Sequence, residues 1–196
     1  MQTVSRTNLL RVGLFFLFLY LLQSYVAALE FDRQQILAGQ VWRLWTGHLV
    51  HSHLTHLALN GITAVALYFV FMTRIQAAEL LLCAFMFAFV ISIILLCQYP
   101  SLAWYNGLSG LLHAVVAYLC LRFADTHNKL YWLGFLFVWI KVVLEMLAMQ
   151  KGYQSELLGM TIITQAHFIG VCIGTFSATV YVLVQRAINQ SNNLAL

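Results

Sequence analysis

Six stretches of the chain, at about 10–29, 48–73, 79–99, 107–122, 130–149 and 157–185, are almost free of charged positions. Five of them are long enough to cross the hydrocarbon core of a bilayer as helices. Most connections between them are short, which predicts antiparallel packing of consecutive helices. The exception is Glu30 to Gly47, where Ile36, Leu37, Val41, Trp42, Leu44 and Trp45 are interspersed with Asp32, Arg33, Gln40 and Arg43. Such a segment is expected to rest at the outer interface, with its tryptophans at headgroup depth. The fourth stretch breaks the pattern. Gly107 to Leu121 reaches only about 22 Å at 1.5 Å per residue, against a core of about 30 Å. If Arg122 marks one edge, Ser109 lies 13 residues, or about 20 Å, above it. The helix then begins inside the bilayer, and Tyr99 to Asn106 must enter as irregular backbone, its polar groups received by protein or a wet cavity.

Composition agrees with a membrane protein: 62% hydrophobic and 8% charged residues, one proline in 196 positions, and mean hydropathy +0.85. The expected fold is therefore all-α, one membrane domain over 1–196 with six transmembrane helices and a short fourth helix. Arg6 and Arg11 precede the first apolar run, but its length favours a retained helix over a cleaved signal. Six helices put both termini on one side. Arg6, Arg11, Arg74, Arg122, Lys129 and Arg186 fall on that side, and Arg33, Arg43 and Lys151 on the other, which predicts cytoplasmic termini. This bias accounts for the net charge of +4, and no basic patch interleaved with aromatics suggests a nucleic-acid partner. Cys83, Cys97, Cys120 and Cys172 stand singly, so neither a disulfide framework nor a zinc site is expected. No cofactor and no metal are called for.

The candidate chemistry begins with Gly107-Leu108-Ser109-Gly110. A helix that starts within the bilayer offers unpaired N–H groups and the positive end of its dipole at its first turn. A serine there, between glycines that permit close backbone approach, suits the stabilisation of an oxyanion in acyl transfer. Small residues also serve ordinary helix packing, so this motif alone decides little. The sixth stretch adds Ala166-His167-Phe168-Ile169-Gly170 and Gly174, with His167, Gly170 and Gly174 on one helical face. Those glycines would let the helix bring an imidazole to the serine hydroxyl. At the second stretch, His56 and Asn60 are four residues apart, and Asn60 lies about 21 Å from Arg74, the height of Ser109. Both could donate to a developing negative charge. His48, His51 and His53, nearer the interface, are expected to be structural and in contact with water. His167 does not fit the same arithmetic: it lies 19 residues, about 28 Å, from Arg186.

Together, Gly107-Leu108-Ser109-Gly110, "AHFIG" with Gly174, and the His51, His56, Asn60 spacing resemble the rhomboid family of intramembrane serine proteases. The short chain and "GLSGLLHA" look most like its rhombosortase subgroup. The resemblance implies Ser109 as nucleophile and His167 as general base. It also implies an oxyanion site from His56, Asn60 and the backbone at Ser109 and Gly110, with His51, His113, Gly107, Gly170 and Gly174 in support. It further implies substrates held in the bilayer by a transmembrane tail, in particular C-terminal glycine-rich sorting tails of exported bacterial proteins. The setting implied is the bacterial inner membrane, with the site opening to the outer side.

His113 stands where many rhomboids have tyrosine. One turn below Ser109 on the same helix, it could pack on His167 or compete as the base. No acid is expected to complete a triad, because Glu145, four residues after Lys141, reads as half of a neutralising pair. A Ser–His dyad is the expectation, with the fifth helix, free of either residue, as a natural moving wall. Two alternatives stay open. His51, His56, His113 and His167 could bind haem in an electron-transfer protein, or the same fold could be a non-catalytic scaffold. A metal site lacks carboxylates at the outer side, and a transporter lacks paired discontinuous helices.

Overall fold

The computed structural model describes residues 6–124, 129–150 and 163–194. Helix α1 (Arg6–Leu22) runs through a 3₁₀ turn, Gln23–Tyr25, into α2 (Val26–Leu29). The connection holds strand β1 (Phe31–Asp32) and two short helices, α3 (Arg33–Leu37) and α4 (Arg43–Thr46). Then come α5 (Leu54–Phe71), α6 (Ala77–Gln98), β2 (Trp104–Tyr105), α7 (Ser109–Arg122), α8 (Lys129–Gln150) and α9 (Thr164–Leu194). Five helical segments are long and apolar enough to cross a membrane, Arg6–Leu29, Leu54–Phe71, Ala77–Gln98, Lys129–Ala148 and Thr164–Asn193; α7 is a shorter apolar helix. Lys151 and the predicted start of the sixth stretch at 157 lie outside the described residues.

Side-chain contacts give the direction of each helix. Gly61 of α5 faces Phe16 of α1, and Arg11 donates to Tyr68, so α1 and α5 are antiparallel. The rings of Phe71 and Phe123 stack 5.9 Å apart, and His56 lies beside Gly107, so α5 runs with α7. Glu79 at the start of α6 pairs with Arg122 at the end of α7, and His113 of α7 meets Lys141 of α8. Both neighbours therefore oppose α7. Helix α9 runs with it: Gly170 faces Gly110, Gly174 faces Ala114, and Arg122 donates to the Tyr181 hydroxyl at 2.9 Å. Helix α7, buried along most of its length, packs most extensively on α9.

The Arg122–Tyr181 contact resolves the height of His167. The level of Arg122 on α9 is Tyr181, not Arg186, because α9 continues past 185 to Leu194 as an exposed helix. Tyr181 is 14 residues from His167, about 21 Å, and Arg122 is 13 from Ser109, about 20 Å. The two side chains sit level.

The irregular entry to α7 is received by protein, as its polar backbone requires. β1 and β2 pair antiparallel, Phe31 against Tyr105 and Asp32 against Trp104. The Arg33 guanidinium donates to the carbonyls of Leu95, Leu96, Tyr99 and Leu102, closing the C-terminus of α6. Gly107 N–H donates to Gly47 O at 3.0 Å. Two expectations for this end need correction. The segment 30–47 does not simply lie on an interface: Arg43 and Leu44 are buried, with Arg43 donating to Ala27 O and Glu30 O. Trp42 is half exposed, whereas Trp45 stacks on Phe85 and Phe89. Nor does the second helix begin at 48. It begins at Leu54, and His48 and His51 are buried in the preceding loop rather than in contact with water; only His53 is exposed.

Candidate active site

Ser109 is the first residue of α7, and the turn before it depends on Gly107, whose φ of +115° L side chains rarely adopt. A Cβ at Gly107 would also lie 2.5 Å from His56 Cε1. The same glycine thus sets the turn and admits the imidazole. Farther along, a Cβ at Gly170 would collide with Gly110 O, and one at Gly174 with Ala114 O. These two glycines let α9 approach α7 backbone to backbone, which carries His167 to the serine. His167 Nε2 lies 2.8 Å from Ser109 Oγ, and the ring is buried.

His167 has a second partner that sequence reasoning missed. Its Nδ1 lies 2.8 Å from Glu145 Oε2, and Glu145 Oε1 accepts from Lys141 Nζ at 2.5 Å. The expected Lys141–Glu145 pair is present, but the expectation that no acid approaches the dyad is corrected. A usable signal existed in the sequence. Glu145 lies 16 residues from Lys129 at the start of α8, about 24 Å, within one turn of the height of Ser109. An ion pair at that depth is itself a mark of function. Helix α8, expected as the moving wall, is hydrogen-bonded to α9 through this contact. His113 also finds a definite place: its ring stacks on His167 with centroids 4.2 Å apart, Nδ1 lies 2.6 Å from Ser109 O, and Nε2 faces Lys141 Nζ at 3.0 Å. No nitrogen of His113 faces the Ser109 hydroxyl, which removes it as a competing base.

Across the cavity from this group stand His56 and Asn60, both buried on α5. The cavity encloses about 380 Å³ and is bounded by α5, the entry to α7, α7 itself, α8 and the start of α9; Ser109, His167, His56, Asn60, Trp104 and Glu145 are among its lining residues. Its walls are otherwise mainly apolar, among them Leu59, Leu112, Val116, Phe137 and Val138. His56 Nδ1 and Asn60 Nδ2 are buried without hydrogen-bond partners. An unpaired buried donor is costly, and a site that stabilises charge only during reaction has reason to keep one. The N–H of Ser109 belongs to the first helical turn and has no acceptor within α7. Gly110 lies beside the Tyr105 hydroxyl, which donates to Gly107 O at 2.7 Å.

His51 supports this arrangement from behind. Its Nε2 accepts from Leu108 N–H at 3.4 Å, and its ring meets His56 edge-on at 4.9 Å. Burial, and next the neighbouring His56, hold the His51 pKa at about 3, so its ring is neutral and free to accept. His48 is likewise held at about 4 by burial, against a raising hydrogen bond to the Ala88 carbonyl, and it also touches Ser92 Oγ at 3.1 Å. Asn106 ties the entry loop to its surroundings, accepting from Ser52 Oγ and donating to Glu30 Oε2.

A family model for the Rhomboid domain matches residues 38–184, three quarters of the chain and every residue of this cluster. The chain belongs to the rhomboid family. That family is made up of intramembrane serine proteases, so this rhomboid is a multi-pass membrane protein whose substrates are membrane proteins. No curated protein matches the chain.

The geometry of this rhomboid also bears on the alternative ligands. Two imidazoles stacked 4.2 Å apart leave no room for a porphyrin between them, so the His113–His167 pair is unsuited to bis-histidine haem ligation. His113, Glu145 and His167 could offer one ligand atom each to a cation, all within 4.8 Å. The Lys141 ammonium already takes the cation's place, bonded to His113 and Glu145.

Proposed function

We propose that this rhomboid hydrolyses a peptide bond of a membrane-anchored protein, with Ser109 as nucleophile and His167 as general base. The observation that carries the reading is the 2.8 Å contact between Ser109 Oγ and His167 Nε2 on the wall of a cavity large enough for several substrate side chains. As Ser109 Oγ bonds to the scissile carbonyl carbon, its proton passes to His167 Nε2, and the carbonyl oxygen becomes an oxyanion. Asn60 Nδ2, His56 and the backbone N–H groups of Ser109 and Gly110 are the donors proposed to receive it. His167 then gives its proton to the leaving amine. A water, activated by the same imidazole, attacks the acyl-enzyme and releases the new C-terminus with the serine restored.

The cavity lies between α5 and α8, so the substrate segment enters beside these helices and unwinds against Ser109. In the proposed topology α7 completes six spans, the termini are cytoplasmic in a bacterial inner membrane, and the site opens outward. The substrates proposed are exported proteins with C-terminal glycine-rich sorting tails, as in rhombosortases. A glycine-rich segment suits this site because it unwinds at little cost and threads a narrow apolar cavity. The test is incubation of the purified full chain with candidate tail-anchored proteins, followed by mass measurement of the product. Release of the ectodomain with one defined C-terminus, absent for Ser109→Ala and His167→Ala, is expected. Intact substrates, or equal release by the variants, would refute the reading.

A further inference from the structure

Five hydrogen bonds form a closed ring that leaves Ser109 at its hydroxyl and returns to it at its carbonyl. Ser109 Oγ meets His167 Nε2 at 2.8 Å, and His167 Nδ1 meets Glu145 Oε2 at 2.8 Å. Glu145 Oε1 meets Lys141 Nζ at 2.5 Å, Lys141 Nζ meets His113 Nε2 at 3.0 Å, and His113 Nδ1 meets Ser109 O at 2.6 Å. The protons in the ring can be placed from the chemistry of its ends. A backbone carbonyl only accepts, so His113 carries its proton on Nδ1 and presents a lone pair at Nε2. An ammonium only donates, so Lys141 gives one proton to that lone pair and another to Glu145. The carboxylate's second oxygen accepts as well, which requires the proton of His167 on Nδ1. The lone pair of His167 is then at Nε2, facing the serine hydroxyl.

We infer that Glu145 is the positioning residue for His167, held in register by Lys141 and His113, so that the site is a Ser–His–Glu triad assembled from α7, α9 and α8. The inference rests on the function proposed above. An ion pair needed only to neutralise charge would be satisfied by Lys141 and Glu145 alone, which are already neighbours on one turn of α8. Instead the free oxygen is aimed at the one ring nitrogen opposite the serine. Lys141 makes that carboxylate tolerable in an apolar wall, since the pair enters with no net charge. Catalysis adds positive charge to His167, and a carboxylate in contact with Nδ1 stabilises the imidazolium as well as the tautomer.

The ring makes an unusual forecast for Glu145→Gln. Lys141 has no lone pair, so it claims the amide oxygen of the new side chain and turns the NH₂ toward His167. That drives the ring proton from Nδ1 to Nε2 and removes the base. Glu145→Gln is therefore expected to slow both cleavage and labelling of Ser109 by a fluorophosphonate about 100-fold, through kcat rather than KM. Adding Lys141→Met frees the amide to turn its oxygen to His167, and the double variant is expected to recover about 10-fold over Glu145→Gln alone. In a His167→Ala background, Glu145→Gln should change the residual rate by less than about 2-fold, because it acts through that ring. The inference is overturned if Glu145→Gln stays within about 3-fold of the parent while Ser109→Ala and His167→Ala are dead, or if the double variant is no faster than Glu145→Gln. Full activity in Ser109→Ala would instead overturn the proposed function itself. A measurement on the parent protein covers the case in which a variant misfolds. In ¹⁵N-histidine spectra, the His167 signal, assigned by its loss in His167→Ala, should report a proton on Nδ1, and a proton on Nε2 would contradict the ring.

Discussion

Helix α7 has two sides built on opposite rules. Toward α9 it presents Gly110 and Ala114 to Gly170 and Gly174, and the two backbones meet with no room for a methyl group. Toward α5 and α8 it opens on a cavity of about 380 Å³ lined by large apolar side chains and a few unpaired donors. The closed side fixes the distance between Ser109 and His167; the open side leaves space for a substrate. Precision and access are thus assigned to different faces of one short helix. That division suits a bilayer, where close packing of small residues replaces the hydrophobic effect in holding helices together.

The largest effects should come from the two groups that the closed side brings together. Ser109→Ala and His167→Ala are each expected to lower cleavage at least about 1000-fold, and the double variant to be no slower, as initial rates on a reporter would reveal. On the open side, Asn60→Ala removes one oxyanion donor and should lower kcat about 100-fold with little change in KM. Gly174→Ala attacks the seam. Its methyl group would press on Ala114 O, with an expected loss of about 2 kcal/mol in stability and about 10-fold in kcat, read as a lower Tm and a slower rate. Smallest is Thr63→Trp, which narrows the cavity from α5. It should raise KM for a transmembrane reporter about 3-fold while a small fluorophosphonate still labels Ser109 at the parent rate. A seam variant that spared activity, or a cavity variant that stopped labelling, would blur the division between the two sides.

The closed side was legible in the sequence because its signal is local and chemical. Gly170 and Gly174 share a face with His167, and a 14-residue apolar helix behind Gly107-Leu108-Ser109-Gly110 is too short to span a bilayer. Counting residues to Arg74 and Arg122 put Asn60 and Ser109 at one level, and both line the same cavity. Counting failed for His167 only because Arg186 is on an exposed extension of α9, whereas Tyr181 is the residue level with Arg122. Less legible were the contacts made across the bundle, for which the depth of Glu145 was the one signal. Glu145 looked complete with Lys141 because an i, i+4 pair satisfies charge within one helix, and nothing local reveals a free oxygen turned toward α9. His48 and His51 looked like interface residues for the same reason, since their burial depends on β1, β2 and α6 folding over them.

The central claim, a serine activated by the imidazole of α9, is tested most directly by exposing the purified full chain to a fluorophosphonate and mapping the modified residue by mass spectrometry. Modification at Ser109 alone, lost in Ser109→Ala and reduced at least about 100-fold in His167→Ala, is the predicted result. Modification at another residue, or an undiminished rate at Ser109 in His167→Ala, would contradict it.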